Sequence, residues 1–431
     1  MKRGLFVNVL IAASSVVLFN VKNLPPRLLP LWVTSFVCLV PLSFLVVSRE
    51  SVSLLILTTF LSFLAMSETV IGAALVSVSF TILGYIVTWN RPGFSIGVCL
   101  EMGCAWTVLL WSCSSIGLIG LTDSLASMHW LMQPLKYIGF YVAEGILASL
   151  NILLAGLLAT GISKYVKAFL GMTGLWSLLS LWLFYNRRLD NSDHHAVNIA
   201  LVSGTDRHVR YELAAEAVGM GADVLVWLPG WVDNTVDCMA SVIAELGSLS
   251  MNVNRPILTD CVGSVFVTYL GTTSIANSTY QTNGATLVMT KDTDLNDPSH
   301  VQSLMTGRRD ILLHYGDVRY ESIVLRAIEN HVAIVNVGET STLTDSSGQL
   351  LAAIEQTDSP GDLVMEQLPT TRGTSLWPFL HATLPLACAA YLLFSFIHRR
   401  LLHQTPYYTP LRVSSTRRSL VSLIDNEPLA I

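Results

Sequence analysis

Long apolar runs dominate the first 190 residues of the chain. The first run, LFVNVLIAASSVVLFNV, follows Lys2-Arg3, and its length favours a retained helix over a cleaved signal segment. A helix of about 20 apolar residues can cross a bilayer. The pattern therefore predicts about seven transmembrane helices in residues 1–190 and an eighth at 376–397. The later runs before the polar region lie near 28–48, 52–66, 69–89, 98–121, 137–162 and 168–185.

The region 195–370 has a different pattern, in which short apolar runs alternate with amphipathic segments. Ala196–Val202 and Asp223–Trp227 are typical of buried strands, and Tyr211–Met220 and Tyr320–Asn330 have helical periodicity. This alternation predicts an α/β domain, followed by the helix 376–397 and a polar tail, 398–431, that we expect to be disordered. Further strands are predicted at Thr286–Met289, Ile311–Leu313, Ala333–Val337 and Leu350–Ile354.

Composition supports a membrane location. The chain is 52% hydrophobic and 13% charged, whereas soluble domains carry about 25% charged residues. The net charge of −5 gives no basic surface that would favour a nucleic-acid partner. Seven cysteines occur without Cys-x-x-Cys or Cys/His spacing, so we expect no zinc site and no cofactor. Cys238 and Cys261 lie in the polar domain and could pair in an oxidising compartment.

Charges beside the apolar runs predict an orientation. Lysine and arginine near helix ends favour the cytoplasmic side of a membrane. The bias predicts that both termini are cytoplasmic and that the domain is extracytoplasmic or luminal, although Lys22, Arg27, Lys136 and Arg187-Arg188 oppose it. The supporting residues are Lys2, Arg3, Arg49, Arg91, Lys164, Lys167, Arg399, Arg400, Arg412, Arg417 and Arg418.

Glu144 is the most notable charge within an apolar run. A carboxylate in hydrocarbon is costly and usually faces a polar cavity or a partner. Glu144 is therefore a candidate functional acid, with two simpler alternatives: it reaches the headgroups, or it pairs with Lys136.

Three segments carry a resemblance to a known family. Met132–Leu158 contains QPLKYIGF and VAEGILASLNILLAGLL, Gly221–Trp227 reads GADVLVW, and Asp310–Gln356 contains ILLHYGD and VLRAIENHVAIVNVGETSTLTDSSGQLL. The order of spans, domain and closing span, with these segments, resembles the apolipoprotein N-acyltransferases. Those are membrane enzymes with a nitrilase (carbon–nitrogen hydrolase) domain. The resemblance implies a polytopic helical bundle with a shortened αββα domain.

The same resemblance implies a chemistry that this sequence only partly retains. Such enzymes use a cysteine nucleophile, a glutamate base and a lysine that stabilises the oxyanion. After Trp227-Leu228-Pro229, Gly230 occupies the glutamate position, and Asp233 is the nearest acid. Lys291 follows the NGATLV strand where the family's lysine is expected, although a solvated loop is an equal alternative.

The nucleophile has no counterpart in the expected place. No cysteine occurs from 262 to 387, and the segment between Lys291 and Ile311 is too short for another strand and a nucleophile elbow. His314 and Asp317, near the end of a predicted strand, are possible substitutes because ligand sites of α/β folds lie at such ends. Arg326 and Glu329 are one helical turn apart and are predicted to form a structural pair.

Three functions remain open at this point. The first is a divergent N-acyltransferase that moves an acyl chain from phospholipid to an amine, with altered or lost chemistry. The second is a non-catalytic scaffold that binds lipid or a protein partner. The third is a transporter with an accessory luminal domain, which the scarcity of charges within the spans disfavours. The expected partners are a phospholipid acyl donor or lipid ligand and the membrane itself.

Overall fold

The structure is a computed structural model of the full chain. It describes residues 5–22, 31–48, 52–64, 69–88, 95–114, 120–161, 163–190, 196–204, 207–228, 245–261, 264–275, 279–282, 285–291, 295, 297–305, 310–355, 361–370 and 377–404.

A helical region precedes the domain and one more helix follows it. In the described part of the chain, two 3₁₀ segments, Leu31–Phe36 and Asp123–Met132, interrupt the α-helices; we call Asp123–Met132 the junction segment. The last helix begins at Trp377 and ends at Gln404, so it extends beyond the predicted span 376–397. The helices are α1 (Leu5–Lys22), α2 (Val40–Ser48), α3 (Val52–Phe63), α4 (Val70–Thr88), α5 (Ile96–Ser112), α6 (Leu135–Thr160), α7 (Ser163–Asp190) and, after the domain, α12 (Trp377–Gln404).

Four helices in the described part of the chain are long and apolar enough to cross a membrane. They lie at Val70–Thr88, Leu135–Thr160, Ser163–Asn186 and Leu380–Leu401. The other apolar helices are shorter, so the expected count of about eight spans is not supported. Apolar composition does not show where a helix begins or ends: the helix that contains the start of the run 98–121 begins at Ile96 and ends at Ser112.

The helix α6 is broken near its start. Gly139 has φ 73° and ψ 170°, a conformation that is essentially restricted to glycine. The turn before it is closed by Pro134, whose carbonyl accepts hydrogen bonds from the main chain of Tyr137 and Ile138. The long helical run therefore restarts at Phe140, where the first N–H groups have no acceptor within the helix.

The domain contains twelve strands and four helices among the described residues. The helices are α8 (Arg207–Gly219), α9 (Gly247–Val253), α10 (Pro298–Leu304) and α11 (Tyr320–Asn330). The strands are β1 (Ala196–Gly204), β2 (Val224–Trp227), β3 (Ile257–Cys261), β4 (Ser264–Tyr269), β5 (Thr272–Ile275), β6 (Thr279–Thr282), β7 (Ala285–Lys291), β8 (Ile311–Tyr315), β9 (Ala333–Val337), β10 (Thr340–Thr344), β11 (Leu350–Glu355) and β12 (Gly361–Pro369).

These strands form two six-stranded sheets. Their orders are β12-β1-β2-β3-β4-β5 and β11-β10-β9-β8-β7-β6. The central strands β1, β2 and β3 are parallel, as are β7, β8 and β9, while the outer pairs are antiparallel. Each sheet thus has three carboxyl ends at one edge, where α/β folds commonly place a site.

The two sheets pack face to face with helices outside them. Alternate residues of both sheets, such as Ile199, Val226, Leu287 and Leu313, share one buried core. The outer face of the first sheet packs against α8 and α9, and that of the second against α10 and α11. This is the αββα arrangement that was expected. Although the domain is short, it has all four layers: two six-stranded sheets and a layer of helices on each outer face.

Candidate functional site

The candidate site residues Lys291, His314 and Asp317 lie at the edge of the second sheet that is formed by the carboxyl ends of β7, β8 and β9. Lys291 pairs with Tyr315 across β7 and β8, and Tyr315 pairs with Val337 across β8 and β9. The edge therefore brings together the ends of three strands that are far apart in sequence. Since β7 and β8 are hydrogen-bonded neighbours, no other strand lies between them in this sheet.

Lys291 is the last residue of β7, so its main chain lies at this edge. Its side chain is outside the part that the structure describes, and Asp233 and Cys238 lie wholly outside it. The roles expected for Lys291 and Asp233 therefore stay predictions. The side chain of Cys261, at the end of β3, is likewise outside the described part, so its pairing with Cys238 is untested.

His314 lies in the interior beside a neighbouring strand. Its Nδ1 is 2.8 Å from Asn336 Oδ1, and both side chains are buried. The two residues are cross-strand partners, and Thr290 is the partner of His314 on the other side. His314 is thus at the edge predicted from the sequence, but its Nδ1 is engaged in packing two strands together.

Asp317 follows β8 and holds the next loop. Its Oδ1 accepts a hydrogen bond from the Glu339 main-chain nitrogen at 2.7 Å. The approach is close, since a Cβ added to Gly338 would lie 2.6 Å from the same oxygen. At least one carboxylate oxygen of Asp317 therefore fixes the turn between β9 and β10.

Tyr315 is the unexpected polar group at this edge. Its side chain is buried in the core between the sheets, and its hydroxyl has no hydrogen-bond partner among the described residues. Burial raises the pKa of the Tyr315 phenol well above its ordinary value, and the negative charge of Asp260 adds to the shift. A single sequence gives no warning of this, because a tyrosine at a strand end is usual.

The described edge therefore holds no obvious catalytic constellation. Nucleophilic catalysis needs a nucleophile in hydrogen-bond reach of a base that a third group orients. In the described residues, His314 and Asp317 are engaged in structure, and three or more His, Cys, Asp or Glu side chains do not gather as metal ligands.

Glu144 lies elsewhere, on α6 in the helical region, and it is fully buried. Oε1 accepts hydrogen bonds from the Thr122 main-chain nitrogen at 2.6 Å and the Thr122 hydroxyl at 2.7 Å. Oε2 accepts from the Leu121 main-chain nitrogen at 2.7 Å and from Trp106 Nε1 at 3.1 Å. The carboxylate therefore holds the start of the junction segment, and the pairing with Lys136 weighed from the sequence has no counterpart among these contacts.

A second buried carboxylate connects the domain to the helical region. Glu329 on α11 is fully buried and accepts a hydrogen bond from the Phe140 main-chain nitrogen at 2.8 Å. Its other oxygen pairs with Arg326, which confirms the predicted pair. The Arg326 guanidinium lies 4.7 Å from the centre of the Phe140 ring.

The rest of this contact is apolar with a polar border. Val324, Leu325 and Ile328 of α11 belong to the same buried cluster as the side chains of the helical region. At the border, Gln133 Nε2 donates to the Ser347 carbonyl at 3.1 Å. The domain and the helices are thus packed through α11 into one core.

An apolar cavity lies in the helical region beside the junction segment. It opens among α6, α7 and the two 3₁₀ segments, with Trp176 and Ser177 contributed by α7. Trp176 Nε1 also donates to the Leu131 carbonyl at 2.9 Å, which ties α7 to the junction segment. Other lining residues are Phe36, Leu125, Leu131, Ala143, Leu147 and Leu150.

Comparisons with known proteins leave the family of this chain open. No family model and no curated protein matches. Among solved structures, an amidase from Nesterenkonia sp. is 14% identical, with a TM-score of 0.33 over 41% of this chain and 91% of that one. The NitN amidase from the same genus is 12% identical, with a TM-score of 0.33 over 42% and 95%. A related structure is described as belonging to the nitrilase superfamily. At these TM-scores the similarities carry no argument about the activity of this chain.

Proposed function

We propose that this chain is a membrane protein whose nitrilase-like domain binds phospholipid without forming a cysteine acyl-enzyme. One observation carries the proposal. The domain is packed by α11 onto apolar helices, while the described polar groups at its sheet edge, His314 and Asp317, make structural hydrogen bonds. Such an arrangement supports a domain that lies at a lipid surface, and among the described residues it offers no activated nucleophile.

The outer helix α7 supports the membrane part of the proposal. Within its apolar span, Ser163–Asn186, only 6% of an apolar window of 18 residues is buried. Large side chains such as Leu175, Leu178 and Trp182 are exposed along it. Apolar surface of this extent is stable in lipid and costly in water. The proposed orientation keeps both termini cytoplasmic and the domain extracytoplasmic or luminal, from the charge bias.

The sequence supports the loss of the acyl-enzyme route. The segment 262–387 contains no cysteine, and Gly230 stands where the resemblance would place the base. Without a nucleophile, binding and orientation alone cannot produce a covalent acyl intermediate.

A divergent acyltransferase with altered chemistry is the second candidate. It is favoured by the position of Lys291, whose main chain ends β7 at the same edge as His314 and Asp317. In that case a labelled acyl chain would move to an amine acceptor, with Lys291, Asp233, His314 or Asp317 contributing.

One experiment separates the two candidates. The full chain, in nanodiscs with a phospholipid carrying a labelled acyl chain and a photoreactive group, is assayed for crosslinking and for transfer to an amine acceptor. We expect saturable crosslinking in the domain or the helices beside it, without transfer. The control is Lys136→Ala, a lysine outside the sheet edge.

Transfer that Lys291→Ala abolishes and Lys136→Ala preserves would overturn the proposal in favour of the enzyme. Absence of saturable crosslinking would favour a scaffold for a protein partner instead. Glycan or cysteine-accessibility mapping of the domain would test its orientation, and a cytoplasmic domain would refute that part.

A further inference from the structure

Two buried carboxylates cap helical segments to which they do not belong. Helix caps normally come from the residue that begins the helix, since its side chain is already close to the orphan N–H groups. At Phe140, the break at Gly139 leaves such a group, and the acceptor is Glu329 of the domain at 2.8 Å. The cap therefore comes from a residue far along the chain.

The same helix then supplies a cap to the junction segment. Glu144 is one turn after Phe140, and it accepts the Leu121 and Thr122 main-chain N–H groups at 2.7 and 2.6 Å. Because residues one helical turn apart move together, a shift at Phe140 displaces Glu144 against its donors.

The junction segment also contacts the domain directly, at both of its ends. Asp123, beside these donors, lies 3.7 Å from Arg319, which is the residue before α11. At the other end of the segment, Gln133 donates to Ser347. The path thus runs from α11 to α6, from α6 to the junction segment, and back to α11.

Burial makes the two central bonds obligatory. Both Glu144 and Glu329 are fully buried, so water cannot replace either acceptor. A buried donor that loses its acceptor bears its full desolvation cost, so the capped and uncapped states are separated by a large step. Such elements have discrete arrangements and can transmit a change between sites.

We propose that Glu329 and Glu144 form a relay of caps that couples the position of the domain to the junction segment. Movement of α11 releases Phe140, and the adjacent turn of α6 then releases Leu121 and Thr122. The relay ends beside the apolar cavity, because the junction segment and α6 both line it. The helix α11 starts three residues after Asp317, at the sheet edge, and carries Glu329 near its other end. The relay does not require that the domain bind lipid.

Hydrogen–deuterium exchange of the full chain in detergent micelles tests the relay. The first variant is Glu329→Gln, which keeps the shape of the side chain and removes its charge. We expect exchange to rise at least tenfold in peptides covering Phe140 and also in peptides covering Leu121 and Thr122, which Glu329 does not touch. By reciprocity, Glu144→Gln should raise exchange at Phe140.

Controls keep the outcome interpretable. Glu216→Gln changes an exposed glutamate on α8 and should leave both peptides unchanged. The double variant Arg326→Met with Glu329→Leu is measured in parallel, because the amide oxygen of Glu329→Gln still offers an acceptor, whereas the double variant removes the cap without leaving an unpaired buried charge. Peptides from β8 and β9 must stay protected in any variant that is compared.

The decisive result is the exchange rate of the peptide that covers Leu121 and Thr122, which Glu329 does not contact. A rise confined to Phe140 in the Glu329 variants, with Leu121 and Thr122 unchanged, would overturn the relay and leave a local contact. No rise at either place would overturn the capping role itself.

Discussion

The carboxylate of Glu144 offers the sharpest test of what holds the helical region together. It accepts four hydrogen bonds, two at each oxygen, and is fully buried. Glu144→Gln keeps the volume of the side chain but converts one oxygen to an N–H donor. Whichever way the amide is turned, two of the four donors then face a donor.

The expected cost follows from counting these bonds. A hydrogen bond to a charged group contributes about 1.5–3 kcal/mol, so the loss of two predicts a decrease of about 3–6 kcal/mol in the free energy of unfolding. Thr122→Val removes the hydroxyl bond alone and should cost about 1.5–3 kcal/mol. The ratio of the two costs, for Glu144→Gln and for Thr122→Val, tests the hydrogen-bond geometry better than either cost alone, because both residues lie in the same buried environment.

The assay is denaturant unfolding of the full chain in detergent, followed for the two single variants and the double variant. The hydroxyl of Thr122 bonds only to Oε1 of Glu144 among the described contacts. We therefore expect Thr122→Val to cost clearly less in the Glu144→Gln background, with a coupling of about 0.5–3 kcal/mol. Equal costs in both backgrounds, or a Glu144→Gln variant as stable as Thr122→Val, would refute this account.

Three further predictions use other parts of the molecule. Tyr315→Phe should leave the domain as stable or more stable, as measured by its denaturation midpoint, because it removes a buried hydroxyl without a partner. Gly139→Ala should lower the melting temperature, since φ 73° and ψ 170° cost an alanine about 1–3 kcal/mol; Gly171→Ala on α7, with no atom within 4 Å of its Cβ and no positive φ, is the control. Burial raises the pKa of Glu329 above its ordinary value of 4.5, although the positive charge of Arg326 lowers it. The protonated Glu329 therefore stabilises the fold fully below pH 4.5, and this contribution is lost as the pH rises through the raised pKa of the folded state. Above pH 4.5, the slope of the unfolding free energy against pH should therefore be less negative in Glu329→Gln than in the wild type. An unchanged slope would contradict the raised pKa of Glu329.

Strong local patterns predicted much of the domain. The helix Tyr320–Asn330 and the strand Ala333–Val337 have the predicted bounds. Thr286–Met289 and Ile311–Leu313 were predicted too short, because Lys291, His314 and Tyr315 continue their strands with polar residues. The short strands β5 and β6 were not predicted, since TTSI and TYQT are polar and owe their pairing to neighbouring strands.

The sequence predicted where the candidate site residues His314 and Asp317 lie in the fold, but not the hydrogen bonds that their side chains make. The sequence predicted His314 and Asp317 near the end of one strand, where ligand sites of α/β folds lie, and Lys291 after another strand; the parallel pairing of these strands puts their ends at one edge. The sequence could not show that His314 bonds to Asn336 or that Asp317 holds the Glu339 main chain. Such partners depend on register across strands, which a single residue type does not reveal.

The sequence alone determined the separation into apolar helices and one α/β domain, because hydrophobic periodicity is local and sums over many residues. It also determined the Arg326–Glu329 pair, since those residues share one helix face. Only the tertiary structure decided what Glu144 and Glu329 do. Each satisfies main-chain donors on a segment distant in sequence, and burial makes those bonds obligatory. Glu144, which the sequence marked as a candidate functional acid, and Glu329, which it assigned to a structural pair, both act as caps, because their donors are brought to them only by folding.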